Sequence, residues 1–325
     1  MDELEFFIGI DLGASNVRVA LADSNYRVYR KIKEPTVKTD SAEKLTEQVC
    51  ALVRRVGGDR LDRVKGLGVG SIGPLDYRRG TLLNPANLPL GEIPLGESLR
   101  DEFNLPVYVL NDCTVAALGE KVFGSGIDCN NLFYVTLSSG IGGGAIVDGN
   151  LLIGKDGNAV EIGHIVVDLD GRLKCGCGGR GHWEAYCSGK NIPLFVKYLV
   201  EVYPDKFYGG KIRELIEDDN VTTENLFYLA KIGDEYSLKI IREIRKINAI
   251  GFANINTVFD PELIIVGGSI ALHNEKLILQ PVKEYIKQYT INRIPEIKIT
   301  TLRDDVVLYG AIALAMHPPR IFKQD

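Results

Sequence analysis

The chain has 325 residues, of which 45% are hydrophobic and 25% charged, and a formal net charge of −5. That length accommodates two domains with cores of their own, and the balance is that of a soluble globular protein. No apolar run approaches the roughly 20 residues of a membrane span, the acidic opening MDELEFFIGI is no signal peptide, and a net negative chain without a Lys/Arg run is not built for nucleic acid.

Residues 6–11, FFIGID, read as a buried strand ending on an acid. Leu12-Gly13-Ala14-Ser15-Asn16 is a glycine-bearing turn, and 17–23, VRVALAD, is the returning strand. Backbone N–H groups of such a turn can cradle phosphate, with Ser15 and Arg18 adding side-chain donors and Asp11 holding magnesium through water. A plain hairpin whose Asp and Asn fill turn positions is the competing reading.

Apolar spacing at Leu45, Val49, Leu52, Val53 and Val56 predicts a helix from Ser41, its N-cap, to Val56, ended by Gly57. Residues 65–76 form a strand running into a loop at Gly73-Pro74. An irregular stretch over 81–94 follows, where Asn84 and Asn87 are either hydroxyl partners or turn formers. VYVLND (107–112) is a further strand, followed by a helix from about Thr114 to Phe123. Asp112 at that corner is either the helix N-cap or a general base for a substrate hydroxyl.

Residues 133–149 repeat the opening design: strand FYVTLSS, a turn at Gly140-Ile141-Gly142-Gly143, the returning strand AIV, and a hairpin signal at Asp148-Gly149. Two such units predict a duplicated fold in which each half offers a loop to one polyphosphate.

Residues 161–190 concentrate metal-ligand types. Cys175, Cys177, His182 and the upstream His164 make a tetrahedral sulfur/nitrogen set of the kind structural zinc prefers, and glycines on either side of Arg180 let the backbone fold tightly. The alternative is a glycine-rich surface loop with two free thiols. The remaining cysteines show no disulfide framework, which points to a reducing cytoplasm. Farther on, an amphipathic helix is expected from about Tyr236 to Phe259, with Leu238, Ile241, Ile244, Ile247, Ile250 and Ile255 on its apolar side. A buried strand ends at Gly267-Gly268, where a base or ribose can approach the backbone closely. A closing helix is expected over 303–315. With no low-complexity linker, the chain is expected to cross between domains near residue 112 and return near 310. That gives a smaller α/β domain (1–112 with 311–325) and a larger one (113–310) carrying the cysteine loop.

DLGASNVR, LNDCTVAALGE, SSGIGGG, EIGH and CGCGGRGHWEAYCSG, in this order, resemble the ROK family of repressors, uncharacterised proteins and sugar kinases. The resemblance runs from residue 6 to about 315. It implies an α/β, two-domain actin-like ATPase (ribonuclease H-like) fold with a duplicated βββαβα core, an interdomain cleft, and transfer of the ATP γ-phosphate to a hexose hydroxyl. Carried over by residue, Asp11, Gly13 and Arg18, with Ser15 and Asn16 in the same turn, resemble the first phosphate loop. Thr136, Ser139, Gly140, Gly142 and Gly143 resemble the second, and Gly267 and Gly268 the adenosine contact. Asn111 and Asp112 resemble the sugar-binding pair, with Asp112 as base. Glu161, His164 and Glu184 resemble further sugar contacts, as does Asn87. Two departures stand out: His182 occupies the place of the family's third zinc cysteine, and Ser138-Ser139 stands where Gly-Thr is usual.

The resemblance therefore implies a glucokinase or hexokinase using ATP, Mg²⁺ and a structural Zn²⁺, working as a homodimer in the cytoplasm. N-acetylmannosamine, N-acetylglucosamine or fructose are alternative substrates. The repressor members carry a helix-turn-helix ahead of the core. Here the first strand opens at Phe6, so a kinase rather than a repressor is expected, and the presence of Asp11 and Asp112 weighs against a non-catalytic sugar sensor.

Overall fold

The first strand, β1 (Phe6–Leu12), is buried almost throughout. In a computed structural model, which describes residues 4–85 and 87–322, it is the middle strand of a five-stranded sheet. It pairs antiparallel with β2 (Asn16–Asp23), which pairs antiparallel with β3 (Val28–Pro35). On its other side it pairs parallel with β4 (Val64–Ser71), and β4 with β8 (Val107–Asn111). Between β3 and β4 runs α1 (Ala42–Gly57). Its N-cap is Ser41, and Leu45, Val49, Leu52, Val53 and Val56 are all buried, as their spacing predicts. Each such side chain withdrawn from water stabilises the fold by roughly 1.5–3 kcal/mol. Gly58, at φ 51°, ends the helix.

A small antiparallel sheet of β5 (Leu75–Asp76), β6 (Thr81–Leu83) and β7 (Glu92–Ile93) follows, then α2 (Leu95–Phe103). After β8 the chain enters α3 (Asp112–Val122), which begins two residues earlier than the expected Thr114. A second five-stranded sheet contains β9 (Leu132–Leu137), β10 (Ile141–Val147), β11 (Asn150–Leu151), β12 (Leu263–Gly267) and β13 (Glu296–Ile299). The two strand orders are β3-β2-β1-β4-β8 and β11-β10-β9-β12-β13. Each half thus lays its first three strands out as a meander and adds two later strands beyond the first, so the duplication expected from two similar turns is present in the topology. Asp148 and Gly149, both at positive φ, turn β10 into β11 as their sequence predicts.

Six helices lie between β11 and β12: α4 (Glu184–Cys187), α5 (Ile192–Val202), α6 (Pro204–Phe207), α7 (Gly210–Glu217), α8 (Thr223–Lys231) and α9 (Glu235–Phe259). After β12 come α10 (Ser269–Tyr285) and, beyond β13, α11 (Val306–Met316), three residues shorter at its start than expected because 303–305 form a 3-10 turn. Helix α11 is apolar all round and packs by backbone approach. A Cβ on Gly310 would sit 1.9 Å from the Val115 carbonyl oxygen, and one on Gly68 2.0 Å from that of Ala311.

By internal contacts the chain falls into two compact units. One comprises the described parts of Met1–Tyr134, Gly144–Val160 and Thr300–Asp325; the other comprises Val135–Gly143 and Glu161–Ile299. Among the described residues no helix is long and apolar enough to cross a membrane.

Candidate active site and metal centre

In the first unit the residues singled out gather at the carboxyl ends of β1, β4 and β8. Asp11, 5% exposed, accepts a 2.5 Å hydrogen bond from Arg18 Nη1 on β2. Burial pushes its carboxyl up to about 6 against the pull of Arg18, and the charges of Asp112 and Asp305 add to the rise. The turn between β1 and β2 is pinned by Gly13 N–H to the Asn16 carbonyl (3.0 Å) and by Thr36, whose hydroxyl donates to Gly13 (2.7 Å) and whose N–H donates to Ser15 (3.1 Å).

At the end of β8 the helix cap is Asn111 and not Asp112. The N-cap of α3 is Asn111, whose side-chain oxygen accepts from the N–H groups of Cys113 (2.9 Å) and Thr114 (3.4 Å). Asp112 is the first residue inside the helix, bonded through Oδ1 to the Cys113 N–H at 2.7 Å, and burial raises its carboxyl above the ordinary value. Capping is thus done by its neighbour, and a carboxyl raised by burial is a stronger proton acceptor than an ordinary one. Gly73 lies beside this corner, 3.4 Å by its would-be Cβ from Asn111 Nδ2. Asn87 is exposed in the loop before β7.

In the second unit the turn after β9 is Ser138-Ser139-Gly140; Gly142 and Gly143, expected in the turn, lie in β10. The strand resumes at Ile141 because its side chain is buried and its backbone is already held. Beside this turn β12 ends at Gly267, and Gly268 (φ 86°) leads into α10. A Cβ on Gly268 would fall 2.4 Å from the Leu137 carbonyl oxygen and 2.7 Å from Thr136 Oγ1. Only glycine fits there, which brings Thr136, the second turn and the start of α10 together. Ser138 and Ser269 are within hydroxyl contact at 3.3 Å.

His164, Cys175, Cys177 and His182 each offer a ligand atom, all within 4.8 Å of one another. Cys175 Sγ stands 3.7 Å from His164 Nδ1, and Cys177 Sγ 3.3 Å from His182 Nδ1. A tetrahedral zinc with bonds of about 2.3 Å to sulfur and about 2.0 Å to nitrogen sets such edges near 3.5 Å, so the four residues fit a closed metal site. The other ring nitrogen of His164, Nε2, faces Glu161 at 3.9 Å. Burial pushes the Cys175 thiol up to about 11, and burial followed by the charge of His164 pushes His182 down.

The glycines flanking Arg180 act as the sequence predicts. A Cβ on Gly179 would strike the His182 ring at 2.3 Å, and Gly181 sits at φ 71° against the Asp168 carbonyl.

The family model for the ROK family matches residues 7–317. The chain belongs to the ROK family. A glucokinase of Pyrobaculum calidifontis is 38% identical over 318 residues, covering 98% of this chain and 97% of that one. Among solved structures, the ROK hexokinase of Thermus thermophilus superposes with a TM-score of 0.80 at 28% identity, over 95% of this chain and 97% of that one. A ROK family glucokinase from Streptomyces griseus, in complex with glucose and AMPPNP, superposes with a TM-score of 0.75 at 30% identity, over 95% and 99%. The fold is accordingly the mixed α/β, actin-like ATPase fold of ROK proteins.

Several residues that build this ROK site carry no local signal. Asn248, in the middle of α9, accepts the Trp183 Nε1–H at 2.8 Å, and a Cβ on Gly251 would collide with the indole at 2.4 Å. This contact fixes Trp183, and with it the flanking His182 and Glu184. The buried side of α9 therefore includes Asn248, Gly251 and Phe252 beside Ile241, Ile244 and Ile255, whereas Leu238, Ile247 and Ile250 are only half-buried. Asp168 is held by Arg172 and by the Tyr186 hydroxyl. Burial raises its carboxyl, but these hydrogen bonds outweigh it and leave the group at about 2. Only the chain separation hides them.

Proposed function

We propose that this chain is an ATP-dependent sugar kinase that transfers the γ-phosphate of Mg-ATP to the 6-hydroxyl of glucose or a related hexose. The observation that carries the reading is the corner at Asn111 and Asp112. Asn111 caps the helix, which leaves the Asp112 carboxyl, raised by burial, to take the proton of the attacking hydroxyl. The similar proteins support the reaction class: a glucokinase, a ROK hexokinase, and a glucokinase in complex with glucose and AMPPNP.

Asn111, Asp112, Glu161, His164 and Glu184, with Asn87, are assigned to the sugar. Carboxylates suit it because each accepts from two neighbouring hydroxyls. Asp11, Gly13, Ser15, Asn16 and Arg18 are assigned to one side of the polyphosphate; Thr136, Ser139, Gly140, Gly142 and Gly143 to the other. Gly267 and Gly268 are assigned to the adenosine. Asp11 is a buried carboxyl whose proton affinity is raised further by two neighbouring acids, a spot that a cation relieves. Magnesium, arriving with the nucleotide, supplies neutralisation of phosphate charge there.

The four His/Cys ligands are assigned to a structural zinc, which cross-links the loop from which Glu161, His164 and Glu184 project. With Nδ1 of His164 facing the sulfur and Nε2 facing Glu161, metal on the first nitrogen fixes the second as a donor toward a hydroxyl. We further propose a cytoplasmic homodimer, with residues 1–112 and 311–325 acting as the smaller functional half and 113–310 as the larger.

The test is a panel of glucose, fructose, N-acetylglucosamine and N-acetylmannosamine with Mg-ATP, scored for ADP. Glucose is expected to give the highest kcat/KM. ADP no faster than the sugar-free rate with every hexose would overturn the kinase reading, and a clear preference for an acetamido sugar would move the substrate to that class.

A further inference from the structure

Glu184 stands at the first turn of α4, where the family resemblance makes it a sugar ligand, yet its carboxylate is engaged elsewhere. Oε2 accepts the Ile141 N–H at 2.9 Å, and Oε1 accepts from the Cys175 thiol at 3.6 Å. The first of these bonds crosses 43 residues to the loop between β9 and β10. The segment that follows Glu184 grips the same loop twice more. Gly189 N–H donates to the Ser138 carbonyl at 2.7 Å, and Lys190 N–H to that of Ser139 at 3.2 Å. The turn is therefore held from one side at 138, 139 and 141. Gly140, between these points, has room for a carboxylate only because it lacks a side chain: a Cβ there would lie 2.8 Å from Glu184 Oε2. The base of the strut is rigid, since Trp183 is fully buried against Phe252 and bonded to Asn248.

We propose that Glu184 is a positioning residue for the nucleotide: its carboxylate is a strut that sets the Ser138–Ile141 turn in the shape that receives phosphate. The proposal rests on the reading of that turn as a phosphate loop. A turn whose N–H groups are aimed before the ligand arrives loses less freedom on binding, which is where preorganisation gains affinity.

The experiment is calorimetric titration of AMPPNP with Mg²⁺ into the sugar-free, metal-loaded protein, for wild type, Glu184→Gln, Glu184→Ala and Gly140→Ala. Both Glu184 variants remove the negative charge, but only glutamine keeps an acceptor for the Ile141 N–H, so their ratio isolates the strut. The expected result is an AMPPNP Kd about ten-fold weaker in Glu184→Ala than in Glu184→Gln, on the order of one neutral hydrogen bond. Gly140→Ala, which leaves the carboxylate in place but displaces it, is expected to weaken AMPPNP relative to wild type as well. It keeps the test open should Glu184→Ala fail to fold.

A residue that only touched sugar would leave AMPPNP affinity in the absence of sugar unmoved. Equal Kd values for the two Glu184 variants, or an unchanged Kd for Gly140→Ala, would therefore overturn the proposal. Absence of AMPPNP binding by the wild type would instead sink the kinase reading itself, so the two failures are distinguishable.

Discussion

Two carboxylates at the carboxyl ends of β1 and β8, with β4 between those strands, bear on the pH behaviour of the site: Asp11 and Asp112. Burial raises both, so each binds its proton more tightly in the folded chain than in the unfolded one. For Asp11 the ordinary value is 3.8 and the folded value about 6. Its protonated form thus favours the native state fully below about pH 4, and that contribution fades as pH rises through about 6. On the proposed role of Asp11 beside Mg-ATP, activity runs the other way, because that role needs the ionised form. kcat/KM for Mg-ATP is expected to fall as pH drops through about 6, with Asp11→Asn abolishing the acid limb that belongs to this group, at a much lower plateau. A profile flat from pH 7 to 5 would contradict the assignment. In the sequence Asp112 could be cap or base; the N-cap position falls instead on Asn111, whose side-chain oxygen accepts from both Cys113 and Thr114.

At the scale of elements, the metal loop is a stretch of 3-10 turn, isolated bridges and glycine turns between β11 and α4, with few backbone ladders of its own. It is held by Asp168 with Arg172 and Tyr186 and by Trp183 bonded to Asn248 of α9, and the proposed zinc would cross-link it further. Stripping the metal with a chelator is expected to lower the Tm by several degrees and to open Cys177, then Cys175, to a thiol reagent. Added zinc should restore both. An unchanged Tm and full thiol reactivity before chelation would argue against a metal.

That His164, Cys175, Cys177 and His182 could gather was legible, because two cysteines one residue apart with a histidine five residues beyond the second suit a metal site, and the four side chains do lie together. The bracing was not: Tyr186 meets Asp168 across 18 residues, and Trp183 meets Asn248 across 65. No spacing rule reaches that far. The turn after β9 was displaced for a related reason. Glycines at 142 and 143 read as turn residues locally, but Ile141 is already held by Glu184, and the strand starts there.

For the molecule as a whole, the duplication was visible in sequence as two strand–turn–strand units, and the topology repeats it as two sheets of equivalent strand order. Most of the periodic elements could be read in advance, since α1 and β1 have their apolar residues at helix and strand spacing. Residues 190–260 also read as helical and are so, but the short strands and the separate bounds of α5 to α8 could not be read, because their burial depends on partners that the local pattern does not contain. The site assignments depend on one chemical claim, that Asp112 takes a proton from the sugar hydroxyl that attacks ATP. The most direct test is phosphorus NMR of glucose with Mg-ATP, comparing wild type with Asp112→Asn at equal folded concentration and equal AMPPNP affinity. The account predicts a growing phosphomonoester signal at carbon 6 matched by ADP in the wild type, and a rate at least about 10²-fold lower in the variant. Formation of that ester by Asp112→Asn at the wild-type rate would contradict it.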